Sequence, residues 1–337
     1  MPTPSTATAA GRRRAAWVLG ALALAAVAAV LAALLIGSVR IDAARLPEML
    51  DGTATGPDAA IVLELRLPRA VAAFATGGLL ALAGTLMQVL MRNPLADPYV
   101  LGISGGAAVA ALAAMLAGLA AWTGFAALGG ALLSTVLVFG LARAGPGRAP
   151  WAATRLLLTG VVVAAGWGAL IALLLTLAPD AAVRGMLFWL LGDLSAATAG
   201  APALALLAAT LAAAMLIARD LNVVARGEDA ALALGVAVPR VALVAHVLAA
   251  TATAVAVAIA GSIGFVGLLA PHALRLIVGN DQRVLLPAAT LAGGTLLVVA
   301  DTLARSLVAP LQLPVGVITA LVGVPVFLWL LARGGAR

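Results

Sequence analysis

Any chemistry done by this sequence falls to arginine. All twenty basic residues are Arg, Lys and Cys are absent, and the two histidines, His246 and His272, stand apart. Without lysine there is no ammonium to grip phosphate in a GxxxxGK[ST] loop and no Schiff-base chemistry. Without cysteine there are no disulfides or thiolate ligands, and two isolated histidines make no metal-site pattern. HExxH and paired-carboxylate arrangements are missing as well, so neither catalysis nor a cofactor is expected. What remains is charge at particular points. Arg66 and Arg69 flank Pro68, and a spacing of three puts both guanidiniums on one helix face. There they either receive carboxylates or snorkel to the membrane surface as anchors. Arg184 stands isolated in the loop Ala178–Ala199, which the span count places on the outer side, where its charge suits guiding an anionic ligand. The run Arg92-Asn93-Pro94-Leu95-Ala96-Asp97-Pro98 has the prolines and Asn of a helix stop and turn. Gly227 to Gly235 begins with Glu228 and Asp229, which suit a helix N-terminus, and ends on a glycine that suits its stop.

The elements that position these groups are membrane spans. The chain has 337 residues, 64% apolar and 10% charged, with a mean hydropathy of +1.17, a composition no soluble surface accommodates. Runs near the ~20 residues that cross ~30 Å of hydrocarbon occur at about ten places. They are Ala15–Ile36, Leu67–Met91, Leu101–Leu119, Gly124–Ala142, Arg155–Leu177, Pro202–Ala218, Arg240–Ala260, Gly264–Val278, Leu285–Ala304 and Val315–Ala332. The first follows Arg12, Arg13 and Arg14 like a signal peptide, but no cleavage site is set off from its Ala-rich surroundings. With both termini cytoplasmic, fourteen Arg lie inside and six outside, which obeys the positive-inside rule. The net charge of +7 is thus an orientation signal toward lipid, not a nucleic-acid footprint. The expected organisation is a cytoplasmic tail over 1–14 and one transmembrane domain over 15–337, with a short surface helix in the outer loop Ile41–Glu64.

Asp, Glu and Arg sit at span ends, which disfavours a stand-alone secondary transporter of a small hydrophobic or chelated solute, because ion coupling needs ionisable groups deep in the bilayer. Against this background four longer segments carry a resemblance. They are RLPRAVAAFATGGLLALAGTLMQVLMRNPLADPYVLGISGGA (Arg66–Ala107), RGEDAALALGV (Arg226–Val236), GSIGFVGLLAPHALRLIVGNDQRVLLP (Gly261–Pro287) and LPVGVITALVGVPVFLWLL (Leu313–Leu331). In this order they resemble the FecCD-type permeases of ATP-binding-cassette importers for iron–siderophores, haem and cobalamin. The resemblance implies an all-α polytopic fold like that of the cobalamin-importer permease, in the bacterial inner membrane. It also implies a homodimer, two ATPase subunits, and a periplasmic or lipoprotein substrate-binding protein. Carried onto this chain, it gives Arg66, Arg69 and Arg305 as docking positions for the binding protein and Asn93 and Leu95 as a cytoplasmic gate. A second gate loop falls at Ala153 and Thr154, where Ala153 departs from the family's hydroxyl residue. Gly227, Glu228, Asp229, Ala230, Leu232, Leu234 and Gly235 correspond to the helix that couples to the ATPase. Two leucines exposed on so short a helix call for a cover, either that ATPase or the lipid surface.

Overall fold

A computed structural model describes residues 4–37, 39–143, 153–195, 197 and 200–334; Arg148 and Arg337, both in the inner arginine count, lie outside them. Each of the ten apolar runs becomes a helix. In chain order α1 is Pro4–Leu35, followed in the first loop by α2 (Leu46–Leu50) and α3 (Pro57–Ala60). Then come α4 (Leu67–Leu90), α5 (Ile103–Leu116), α6 (Thr123–Arg143), α7 (Ala153–Leu177) and the short α8 (Asp180–Leu190). The second half comprises α9 (Gly200–Leu216), α10 (Ala218–Val224), α11 (Glu228–Ala233), α12 (Val238–Ala260), α13 (Val266–Val278), α14 (Gln282–Ser306) and α15 (Val315–Gly334). Among the described residues six helices are long and apolar enough to cross a membrane, seven if α9 and α10, bent by 58° at Ile217, make one span. α5, α13 and α15 are shorter apolar helices that complete the ten.

α4 is the axis. A helix apolar on all sides belongs inside a bundle, and α4 is buried almost throughout, packed by α9, α12, α13 and α14. Lipid tails supply no hydrophobic drive between helices, so close backbone approach has to hold them. At the crossing of α4 and α14 a Cβ on Gly77 would run into the carbonyl of Gly293, and one on Gly293 would meet the backbone of Gly77. Leucine or valine there would force the two helices apart. α1 and α7, by contrast, keep apolar faces outward, with Trp17, Leu24, Leu158 and Val162 all more than half exposed.

Two expectations change in detail. The positions expected as a free tail are helical from Pro4, continuous with the first span. Half of the expected loop Ala178–Ala199 is the helix α8. The first loop does carry the short helix expected of it, α2, with Met49 fully buried beneath.

Candidate functional site

At one end of the bundle Arg66, Arg69 and Arg305 come together around an acid the sequence reading did not single out. Asp301, one turn before Arg305 on α14, is 3% exposed and accepts from Arg69 Nε at 3.0 Å to both oxygens and from Nη2 at 2.8 Å. Arg69 also donates to Gln312 Oε1 at 3.0 Å, and Arg305 Nε lies 3.7 Å from Asp301 Oδ2. The remaining donors serve α1. A helix leaves its last four carbonyls without partners, at the negative end of its dipole. Arg66 donates to the carbonyls of Leu34 at 2.7 Å and Leu35 at 3.0 Å, and to that of Val39; Arg305 donates to Ala33. Sequence spacing puts Arg66 and Arg69 on one outward face, whereas here Arg66 and Arg305 are buried. The reason is the end of α1, whose carbonyls need donors. The signal for this was available: Asp301 and Arg305 are an i, i+4 pair in an otherwise apolar span.

At the opposite end lie the gate turn and the coupling segment that the resemblance implies. After α4 the chain turns through Arg92, held at φ 46°, while Asn93 Oδ1 accepts from Leu95 N at 2.9 Å, so Leu95 protrudes half exposed. Burial pushes the Asp97 carboxyl up to about 6 although it caps Tyr99 N at 2.8 Å. Thr154 falls in the first turn of α7, and its side chain is outside the described residues. α11 forms where expected: Gly227 enters it at φ 123° and Gly235 leaves it at φ 78°, with Gly235 N bonded to Leu232 O at 3.0 Å. Leu232 is 54% and Leu234 67% exposed, and Ala230 is exposed beside them. The neighbouring Asp281 would be raised by burial, but hydrogen bonds from Arg283 and Asn222 hold its carboxyl below the usual range.

Between these ends several helices break. Gly261 leaves α12 at φ 68° in a position where a Cβ would strike the carbonyl of Trp189, just past which α8 ends. Unwound backbone inside a membrane protein must find partners. Here Asp193 N bonds Ala260 O at 2.9 Å, Val315 N bonds Gly192 O at 2.9 Å, and the Tyr99 hydroxyl lies 3.1 Å from both the N–H and the carbonyl of Ile263. Tyr99 is the chain's one tyrosine, and its setting between Asp97-Pro98 and a glycine was the cue that sequence reasoning passed over. Arg92 and Phe265, the two described non-glycine residues with positive φ, sit at the turn and at the break, where strained backbone tends to mark function. Arg184 is exposed on α8 with its guanidinium 5.9 Å from the Phe188 ring centre and no described carboxylate beside it.

A helical bundle around a buried axis, with charged loops at both ends and no metal-ligand cluster among the described residues, is the build of a membrane permease. The profile of the FecCD transport family matches residues 24–333. The chain is 42% identical to the hemin transport system permease protein HmuU of Yersinia pestis, over 81% of this chain and 83% of that one. It is also 42% identical to the cobalamin import system permease protein BtuC of Halobacterium salinarum, over 80% and 73%. Among solved structures, a metal-chelate type ABC transporter in an inward-facing conformation superposes with a TM-score of 0.81 at 28% identity, covering 95% of this chain and 99% of that one. The chain belongs to the FecCD transport family. It is the membrane-spanning permease subunit of an ATP-binding-cassette importer, a transport component and not an enzyme.

Proposed function

We propose that two copies of this chain line a path for a metal chelate, of the iron–siderophore, haem or cobalamin class, into the cytoplasm of a bacterium. Both termini and α11 face the cytoplasm, and the Asp301 end faces out. The substrate-binding protein docks at the outer end on Arg66, Arg69 and Arg305, whose three positive charges exceed the single carboxylate among them. Two ATPase subunits bind at the inner end, where α11 fits one of them and passes its movement to the gate turn of Asn93 and Leu95 and to Thr154. Arg184 on α8 guides an anionic chelate into the path. The chain does no bond chemistry; it alternates between outward- and inward-open states whose populations its partners shift.

The observation that carries this reading is α11. Six residues are too few for a helix to hold in water, where isolated helices below ~12 residues are marginal, and its two leucines point away from the bundle. Replacing Leu232 and Leu234 together by Asp should leave the chain inserted but abolish co-purification with the ATPase in detergent. Wild-type recovery of the ATPase would overturn the coupling role. Uptake of radiolabelled haem, cobalamin and ferric siderophore by the reconstituted importer identifies the cargo.

A further inference from the structure

Beside α11 opens a cavity of about 760 Å³ between the ends of α4 and α10 and the α13–α14 turn. Arg92, Arg219, Arg226, Arg275 and Arg283 line it against one carboxylate, Asp281, a net charge of +4. Asp281 is taken by Arg283 at 3.1 Å and by Asn222 at 2.8 Å. Arg92, Arg219, Arg226 and Arg275 make no ion pair with any described residue. At the other end of the bundle the arginines are matched internally; at this one they are left over. The cavity is continuous with the coupling loop: Arg226 precedes Gly227, and the Arg92 guanidinium lies 3.9 Å from where a Cβ on Gly227 would sit.

We propose that this cavity receives an acidic segment of the ATPase subunit, so that carboxylates there engage Arg219 and Arg226 while Leu232 and Leu234 seat the apolar part of the contact. The proposal rests on the reading of α11 as the ATPase contact. Charge complementarity argues for a protein surface: ten of the fourteen lining residues are Arg, Asn or Gln, and one of them, Arg226, lies just before the polar, exposed start of α11. A phospholipid would be better served on the far side of Arg275, where Arg14, Leu276 and Ile277 line a separate groove of about 360 Å³. Carboxylates meeting exposed arginines speed association and make it salt-dependent. The contact would also place the ATPase against Arg92, at the start of the gate turn.

The test measures binding of the separately purified ATPase subunit to the permease in nanodiscs of phosphatidylcholine, across a range of salt concentrations. Arg219→Gln with Arg226→Gln removes two exposed side chains that make no ion pair with any described residue, so folding should be preserved. The double variant should bind on the order of tenfold more weakly at low salt, with a flatter salt dependence that meets the wild type at high salt. Arg219→Glu with Arg226→Glu should be weaker still. Unchanged affinity and salt dependence in both variants would overturn the proposal. So would a deficit that arises only in phosphatidylglycerol nanodiscs, which would mean the cavity holds lipid. The two readings fail separately: Leu232→Asp with Leu234→Asp should lower binding at every salt concentration. If it does not while the arginine variants do, α11 is not the coupling element and the cavity is the contact.

Discussion

Removing the Asp301 carboxylate should be among the most damaging single changes in the chain. The side chains of Asp301, Arg305 and Arg69 are 3%, 9% and 13% exposed, so solvent does little to screen the charges left behind. Breaking a buried pair by deleting one partner costs about 3–5 kcal/mol, because the other charge stays buried without compensation. Asp301→Ala should fall at the lower end, about 3 kcal/mol, since Arg69 keeps Gln312 and Arg305 keeps the Ala33 carbonyl. Asp301→Asn retains an acceptor and should cost about 2 kcal/mol, the range of a hydrogen bond to a charged group. Asp301→Leu combined with Arg69→Met should recover most of the loss, because well-packed apolar replacements for a buried pair are often neutral. Unfolding in mixed micelles with increasing denaturing detergent, run as a double-mutant cycle, reads all four states. A cost below about 1 kcal/mol for Asp301→Ala, or a coupling energy near zero, would refute the argument, since a pair in this geometry should couple strongly. The same variants separate docking from stability: if the three arginines also receive the binding protein, Asp301→Asn should alter its affinity and the salt dependence of that affinity.

Two further outcomes follow from the loop between α4 and α5. Asp97, raised to about 6 by burial, is protonated in the folded chain at pH values where the unfolded chain is already ionised, so stability should increase as pH falls from about 7 toward 4; Asp97→Asn keeps the cap on Tyr99 N, should lose that dependence and should melt higher than wild type at pH 8, and parallel melting profiles would refute the assignment. Tyr99→Phe strips both backbone groups of Ile263 of their partner and should cost about 2 kcal/mol, with faster hydrogen exchange at residues 261–265; unchanged exchange there would mean that the hydroxyl does not hold the break.

Much of this architecture was legible in the sequence because lipid imposes length and polarity on every span. The ten runs are each the core of a helix, and the glycines bounding α11 locate it to within a residue. The departures arise where partners distant in sequence decide the structure. Nothing local to Arg66 reveals that the end of α1, some thirty residues earlier, lacks donors for its carbonyls. Nor does the apolar run before Gly261 announce that it ends against Trp189 and is pinned by a tyrosine 164 residues away in sequence. Length and hydropathy report that a segment lies in the membrane; which backbone groups go unpaired there depends on where helices stop.

The two ends of the bundle treat the same residue type in opposite ways, and that difference has a physical consequence. At the Asp301 end guanidiniums are matched to one aspartate and to a helix terminus, so a carboxylate arriving from a partner must compete with bonds already made. If a partner docks there as proposed, docking must be accompanied by rearrangement around Asp301, and a partner that breaks the Arg69–Asp301 pair loosens α14 from α4, the two helices held by Gly77 against Gly293. At the opposite end Arg219 and Arg226 make no ion pair with a described residue, so a partner's carboxylates would meet them without disrupting the fold. On the proposed assembly, recognition at the Arg219–Arg226 end should therefore be fast, strongly salt-dependent and structurally quiet, while docking at the Asp301 end should be coupled to helix movement. Loosening α14 from α4 would displace the helix whose far end leads into the Arg92 turn, which would give a docked partner a mechanical route along the bundle axis to the proposed gate.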